Sequence, residues 1–163
     1  MNKNQNALII FAKYPEPGTV KTRLGKTIGN TKSASIYSVL AKFLVNKLAE
    51  SEDYNTYVFF SPENKKKQVI KWINKKESDF FAQHGNSLGE KMSNAFNKCF
   101  GLQHKNLIII GTDCIGIEKE EIKKGFDLLE ENKNQIILGP SNDGGYYLLG
   151  MNSFYDFLFN EIE

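Results

Sequence analysis

The chain has 163 residues, 40% of them hydrophobic and 25% charged, with a formal net charge of +2. That length fits one domain with a buried core, the composition excludes a disordered chain, and so small a charge gives no ground for a nucleic-acid partner. Cys99 and Cys114 are the only cysteines and lack metal-ligand spacing, which excludes a disulfide scaffold and predicts reduced thiols in a cytoplasmic protein.

Residues 1–6 are polar, and the apolar run at 7–12 is too short for a signal peptide or a membrane span. Its unbroken apolar character predicts a strand buried on both faces. The next stretch, 15–24, reads Pro-Glu-Pro-Gly-Thr-Val-Lys-Thr-Arg-Leu. Two prolines stiffen it, Gly18 permits a tight turn, and Lys21 and Arg23 stand two residues apart among the hydroxyls of Thr19 and Thr22. Neither the Walker pattern nor Gly-x-Gly-x-x-Gly is present. A loop of this kind after a strand can hold a phosphorylated ligand or be a solvated basic surface, and both readings stand on the residues alone.

Ile36, Val39, Leu40, Phe43, Leu44 and Leu48 recur at helical spacing and predict an amphipathic helix over 31–50. Aromatic and β-branched residues at 54–60 predict a second strand. Ser61-Pro62 has the form of an N-cap followed by a first-turn proline, before a short helix carried by Val69, Ile70, Trp72 and Ile73. Lys75 and Lys76 would close that helix against its dipole, and the lysines at 65–67 fit a solvated face. A short strand is expected at 79–83. Ser87 and Glu90 have capping-box spacing ahead of a helix face formed by Leu88, Met92, Ala95, Phe96 and Cys99. The clearest central strand is 107–111, ending at Thr112-Asp113, followed by a helix over 118–131 carried by Ile122, Phe126 and Leu129. Strands at 135–138 and 146–149 and a last helix at 153–162 complete the pattern. His84 and His104 both read as surface residues. Alternating strands and helices predict an α/β unit, residues 1–163 forming one domain around a mostly parallel sheet covered on both faces.

Ligands of open α/β sheets bind beyond the carboxyl ends of strands, where strand order reverses. Three polar groups of residues fall there. One is the 15–24 loop. Another is Asp113, whose carboxylate follows an apolar strand and suits either a turn or N-cap, or a Mg²⁺ ion carried with substrate phosphates. In the third, Asn142-Asp143-Gly144-Gly145 is a strong turn signal between two strands. Its glycines would also let a substrate approach the backbone, with Tyr146 and Tyr147 as a stacking surface. No Ser/His/Asp or Cys/His arrangement suggests a nucleophile.

Four stretches together carry a resemblance. Phe11-Ala12-Lys13-Tyr14-Pro15-Glu16-Pro17-Gly18-Thr19-Val20-Lys21-Thr22-Arg23-Leu24 resembles the N-terminal signature of the DUF2064 family, the glycosyltransferase A-like, radical-SAM/selenodomain-associated transferases. Gln83-His84-Gly85-Asn86-Ser87-Leu88-Gly89-Glu90-Lys91-Met92, Gly111-Thr112-Asp113-Cys114 and the stretch from Leu138 to Gly150 are similar to three further blocks, in the family's order. The resemblance implies a Rossmann-like three-layer α/β/α sandwich of the nucleotide-diphospho-sugar transferase type. It implies a nucleotide held by Lys13, Gly18, Thr19, Lys21 and Arg23, and Mg²⁺ (or Mn²⁺) on Asp113. Asp113 and Asp143 are the implied catalytic residues, with Gly144, Gly145 and Tyr146 on the acceptor side.

The activity so implied is Mg²⁺-dependent transfer from a nucleotide sugar or nucleoside triphosphate to a small-molecule acceptor, glycosyltransferase-like. The alternatives are nucleotidyl transfer to a small phosphorylated acceptor, as in the phospholactate guanylyltransferases, and a non-catalytic nucleotide-binding remnant. Two departures accompany the resemblance. Ile115 stands where the family has proline, and the chain ends at Glu163 where family members continue. A missing C-terminal part is therefore expected, with Phe154, Phe157, Leu158 and Phe159 either an exposed apolar edge or a helix packed on the core.

Overall fold

The computed structural model describes residues 5–160. Six strands form one sheet: β1 (Asn6–Lys13), β2 (Asn55–Ser61), β3 (Phe80–Ala82), β4 (Asn106–Gly111), β5 (Ile136–Pro140) and β6 (Tyr146–Met151). Their order is β3-β2-β1-β4-β6-β5. Pairing is parallel from β3 through to β4, whereas β6 lies antiparallel to both β4 and β5. The helices are α1 (Thr22–Ile28), α2 (Asn30–Ala49), α3 (Lys66–Ile73), α4 (Leu88–Gly101) and α5 (Lys119–Glu131). Among the described residues no helix is long and apolar enough to cross a membrane.

The apolar runs of β1 and β4 become central strands because a strand presents alternate residues to opposite faces, and here both faces are covered. Leu8, Ile10, Ile108 and Ile110 pack with residues of α2, α3 and α5, among them Leu44, Val69, Ile73, Ile122 and Phe126. Ala7, Ile9, Leu107 and Ile109 turn the other way, onto Met92, Ala95, Phe96 and Cys99 of α4 and onto Phe159. The result is the expected three-layer sandwich, with three helices on one face and α4 with a short 3₁₀ turn on the other.

Local differences from the sequence reading have physical causes. Helix α2 is present, but Ile36, Val39 and Phe43 are 43%, 69% and 54% exposed. The stripe that packs is Ala34, Tyr37, Ala41, Leu44, Val45 and Leu48, rotated from the expected face: its first half meets Val20 and Trp72, and its second half the core over the sheet. Ser61 does not cap a helix: it ends β2, a cis bond joins it to Pro62, and no side-chain cap bond forms there. Helix α3 ends on Asn74 in the left-handed conformation, while Lys75 reaches Glu50 at 2.8 Å instead of the helix end.

Only half of the expected capping box forms at α4. The Ser87 hydroxyl accepts from the Glu90 N–H at 3.1 Å, but the Glu90 carboxylate accepts from Asn86 N–H, one residue too early. Leu88 is not part of the packed face of α4 and is exposed. His104 is buried rather than superficial, with its Nε2 2.9 Å from the Tyr57 hydroxyl. The last expected helix is a 3₁₀ turn at Asp156–Phe159, and its expected end lies outside the described residues. Of the aromatic group there, Phe159 is buried and stacks on Phe154, while Phe157 is exposed.

Candidate active site

A cleft of about 680 Å³ opens at the carboxyl ends of β1, β2 and β4. The chain runs from β1 outward to β2 and β3, then crosses by α4 to β4 on the other side of β1. Strand order therefore reverses between β1 and β4, and loops leaving these neighbours diverge, which opens a crevice.

One wall is the loop after β1. Val20 is buried among Ala34, Tyr37 and Ala41 and anchors the loop on α2. Upstream, Thr19 closes a turn on Glu16, donating both its N–H (3.0 Å) and its hydroxyl (2.9 Å) to the Glu16 carbonyl. Gly18 sits at φ 82° within this turn, where a Cβ would be strained. Lys21 occupies the left-handed region (φ 47°, ψ 44°) just before α1, a conformation that costs a non-glycine residue about 1–2 kcal/mol. Its ammonium then lies 3.0 Å from Asp113 Oδ1.

The opposite wall follows β4. Asp113 comes directly after the buried Thr112, and its own side chain is 67% exposed. The ion pair with Lys21 is solvated, so it adds little to stability. Behind it, the Tyr37 hydroxyl accepts from the Lys13 N–H at 3.0 Å and bonds Thr112 Oγ1 at 3.0 Å. One buried hydroxyl from α2 thus ties the end of β1 to the end of β4. Burial is the main cause of a raised pKa for Tyr37, so this phenol stays protonated.

The third wall comes from β3 and α4, which contribute Gln83, Leu88 and Lys91. Gln83 Nε2 donates to the Phe59 carbonyl at 2.8 Å. Gly85 at φ 129° lets this connection pass so close to α4 that a Cβ there would come within 2.9 Å of the Lys91 nitrogen.

A second, apolar groove of about 380 Å³ continues from the cleft and shares Phe11, Leu88 and Gly111 with it. Its far side is Met92, Gly145 and Tyr146. The turn between β5 and β6 shapes that side: Asp143 accepts from the Ser141 hydroxyl and from the Gly145 N–H (3.2 Å). These bonds, the Ser141 one foremost, lower the pKa of Asp143.

Of the residues singled out by sequence, the cleft brings together Lys13, Thr19, Lys21 and Asp113, and the groove takes Gly145 and Tyr146. Gly18, Arg23, Asp143 and Gly144 are exposed and line neither. Sequence reasoning missed Tyr37 and Thr112 as structural links, and gave no role to Lys91. The signal for Tyr37 was its place at the buried 34-37-41-44 spacing; a phenol on that stripe needs a polar partner.

Among the described residues no three His, Cys, Asp or Glu side chains gather as a metal cage. Asp113 and Glu16 are the carboxylates that line the cleft; Mg²⁺, which keeps waters and takes one or two carboxylates, could be held there only together with substrate phosphates.

The family described as "Uncharacterized protein conserved in bacteria (DUF2064)" matches residues 44–163. A crystal structure from Desulfovibrio desulfuricans G20, described as a "putative nucleotide-diphospho-sugar transferase", is 31% identical with a TM-score of 0.90. The alignment covers 98% of this chain and 69% of that one. A cytidylyltransferase from Leptospira borgpetersenii shares 15% identity at a TM-score of 0.61, over 96% of this chain and 63% of that one. The 4-diphosphocytidyl-2C-methyl-D-erythritol synthase of Anaerococcus prevotii shares 7% identity at a TM-score of 0.58, over 98% of this chain and 78% of that one. At such identities the last two show a shared fold. No curated protein matches the chain. With the model match covering most of its length, the chain belongs to the DUF2064 family.

Proposed function

We propose that the chain is a cytoplasmic, Mg²⁺-dependent transferase that takes a nucleotide sugar as donor and a small hydroxyl compound as acceptor. The observation that carries this reading is the Lys21–Asp113 pair, placed with Lys13 and Lys91 in one cleft where strand order reverses. A diphosphate would draw Lys21, Lys13 and Lys91 as compact cations, freeing Asp113 for the metal. Thr19 and Gly18 would shape the loop that encloses the phosphates. Arg23, exposed in the first turn of α1, does not line the cleft.

Mg²⁺, when bound with the phosphates on Asp113, supplies positive charge that offsets the charge gained by the leaving group. The acceptor oxygen forms a bond to the anomeric carbon of the sugar as the bond from that carbon to the phosphate oxygen breaks. The nucleoside diphosphate leaves with the electron pair, and the hydroxyl proton passes to solvent or to a phosphate oxygen. Asp143 is a poor base for that proton, because its carboxylate is already held by Ser141 and Gly145. We assign it instead to positioning Gly145 and Tyr146.

The fold shared with cytidylyltransferases supports a second reading, nucleotidyl transfer, in which the α-phosphorus is attacked and pyrophosphate leaves. A thermal-shift panel of nucleoside triphosphates and nucleotide sugars, with and without Mg²⁺, tests both. Stabilisation that needs Mg²⁺ is expected; silence across the panel sinks the transferase reading. Release of a nucleoside diphosphate would favour glycosyl transfer, release of pyrophosphate nucleotidyl transfer, and binding without turnover a nucleotide-binding remnant.

A further inference from the structure

The apolar groove beside the cleft has no charged side chain among its lining residues, although it adjoins a cleft lined by lysines. Its wall is Phe11, Leu88, Met92 and Tyr146, with Leu88 45% and Tyr146 40% exposed. Tyr146 and Tyr147 both line it, and the Tyr146 hydroxyl is turned toward Met92 Sδ at 3.9 Å. At the junction stands Gly111, where an added Cβ would meet nothing within 4 Å. The passage between groove and cleft is therefore open beside the residue two positions before Asp113.

We propose that this groove receives the carbon body of the acceptor, and that the acceptor is an aromatic or alicyclic alcohol, not a sugar. The inference deepens the transferase reading and rests on it. A sugar ring presents hydroxyls all round, and each would be desolvated in a groove with few polar partners. An aromatic ring instead gains the contact of Phe11 and Tyr146, while the flexible thioether of Met92 adapts to its edge. Its hydroxyl, directed past Gly111, enters the cleft on the Asp113 side, where the donor's reacting carbon would lie. The 380 Å³ of the groove is at the scale of a small-ligand pocket.

The full chain labelled at its methionine methyl groups gives a direct test. The chain has three methionines: Met92 lines the groove, whereas Met151 is fully buried at the end of β6 and serves as an internal reference. Titration with 4-methylbenzyl alcohol should shift the Met92 signal and leave Met151 in place, while glucose and glycerol at the same concentrations should leave both. Tyr146→Asp should weaken the alcohol at least tenfold and Tyr146→Phe should retain it. An unmoved Met92 signal, an equal response to glucose, or unchanged affinity in Tyr146→Asp overturns the proposal even where nucleotides bind. A nucleotide panel that stays silent while Met92 shifts removes the transferase reading, and the acceptor role of the groove falls with it.

Discussion

At Asp113 a carboxylate is held in the open by a single cation, and that arrangement separates its binding role from any structural one. Asp113→Ala should leave the melting temperature within a degree or two, because a solvated ion pair contributes about 0–1 kcal/mol. It should abolish the Mg²⁺-dependent part of nucleotide stabilisation; persistence of that part would refute the metal assignment. Tyr37 behaves in the opposite way. Tyr37→Phe leaves the Lys13 N–H and the Thr112 hydroxyl without their shared partner, at a cost of about 1–3 kcal/mol for unsatisfied buried groups. Chemical denaturation should show that loss, with weaker nucleotide binding alongside it, since the ends of β1 and β4 lose their link. Two buried acids contribute to the loss of stability at alkaline pH. Burial pushes the Cys99 thiol from 9.0 and the Tyr54 hydroxyl from 10.0 up to about 12. Once unfolded, both groups lose protons that the folded chain retains, so stability is intact below pH 9 and is lost as pH rises toward 12. A melting temperature that stays flat across that window would contradict the burial of both groups.

Helices show most clearly what was legible in the chain. Spacing located α2 and α5 to within two residues, because apolar periodicity survives in any amphipathic helix. It failed to say which of two apolar stripes on α2 packs: 36-39-43 is the more hydrophobic, yet 34-37-41 is buried, against Val20 and Trp72. Close packing rewards small residues, and a scale of hydrophobicity does not register that. Val39→Glu should consequently be neutral in thermal melts, whereas Leu44→Ala should cost about 2–5 kcal/mol. Helix α1 was hidden because it begins, at Thr22, inside a loop signature rich in polar residues. Caps were misread at Ser61 and half misread at Ser87, since a cap depends on backbone angles that a residue name does not fix. Gly85 carries a sharper expectation. Gly85→Ala would force the β3–α4 connection off the α4 backbone, lowering the melting temperature and displacing Gln83, Leu88 and Lys91 from the cleft together.

Over the whole molecule, the sandwich and the place of the cleft follow from a few strong signals. Unbroken apolar runs at β1 and β4 suit strands of a sheet covered on both sides, and polar loops after their ends mark the crevice. Strand order itself was not readable, and the reversal of β6 between β4 and β5 least of all, because direction leaves no mark on composition. The four loops of the resemblance supplied what the patterns could not. Residues that act by position, such as Tyr37, stayed invisible until α2 was rotated into place.

The central pairing has a further consequence, in time. Asn6 of β1 pairs with Asn106 of β4, so the two strands that bracket the cleft are a hundred positions apart in the chain. Until α4 has been made and β4 has docked, β1 has an edge of unpaired backbone N–H and C=O groups, and closing so large a loop is slow. During synthesis, the ability to bind a nucleotide would then appear late and all at once, with the joining of the sheet's halves. Ligand capture by nascent chains of increasing length would report that joining as a step after β4 leaves the ribosome.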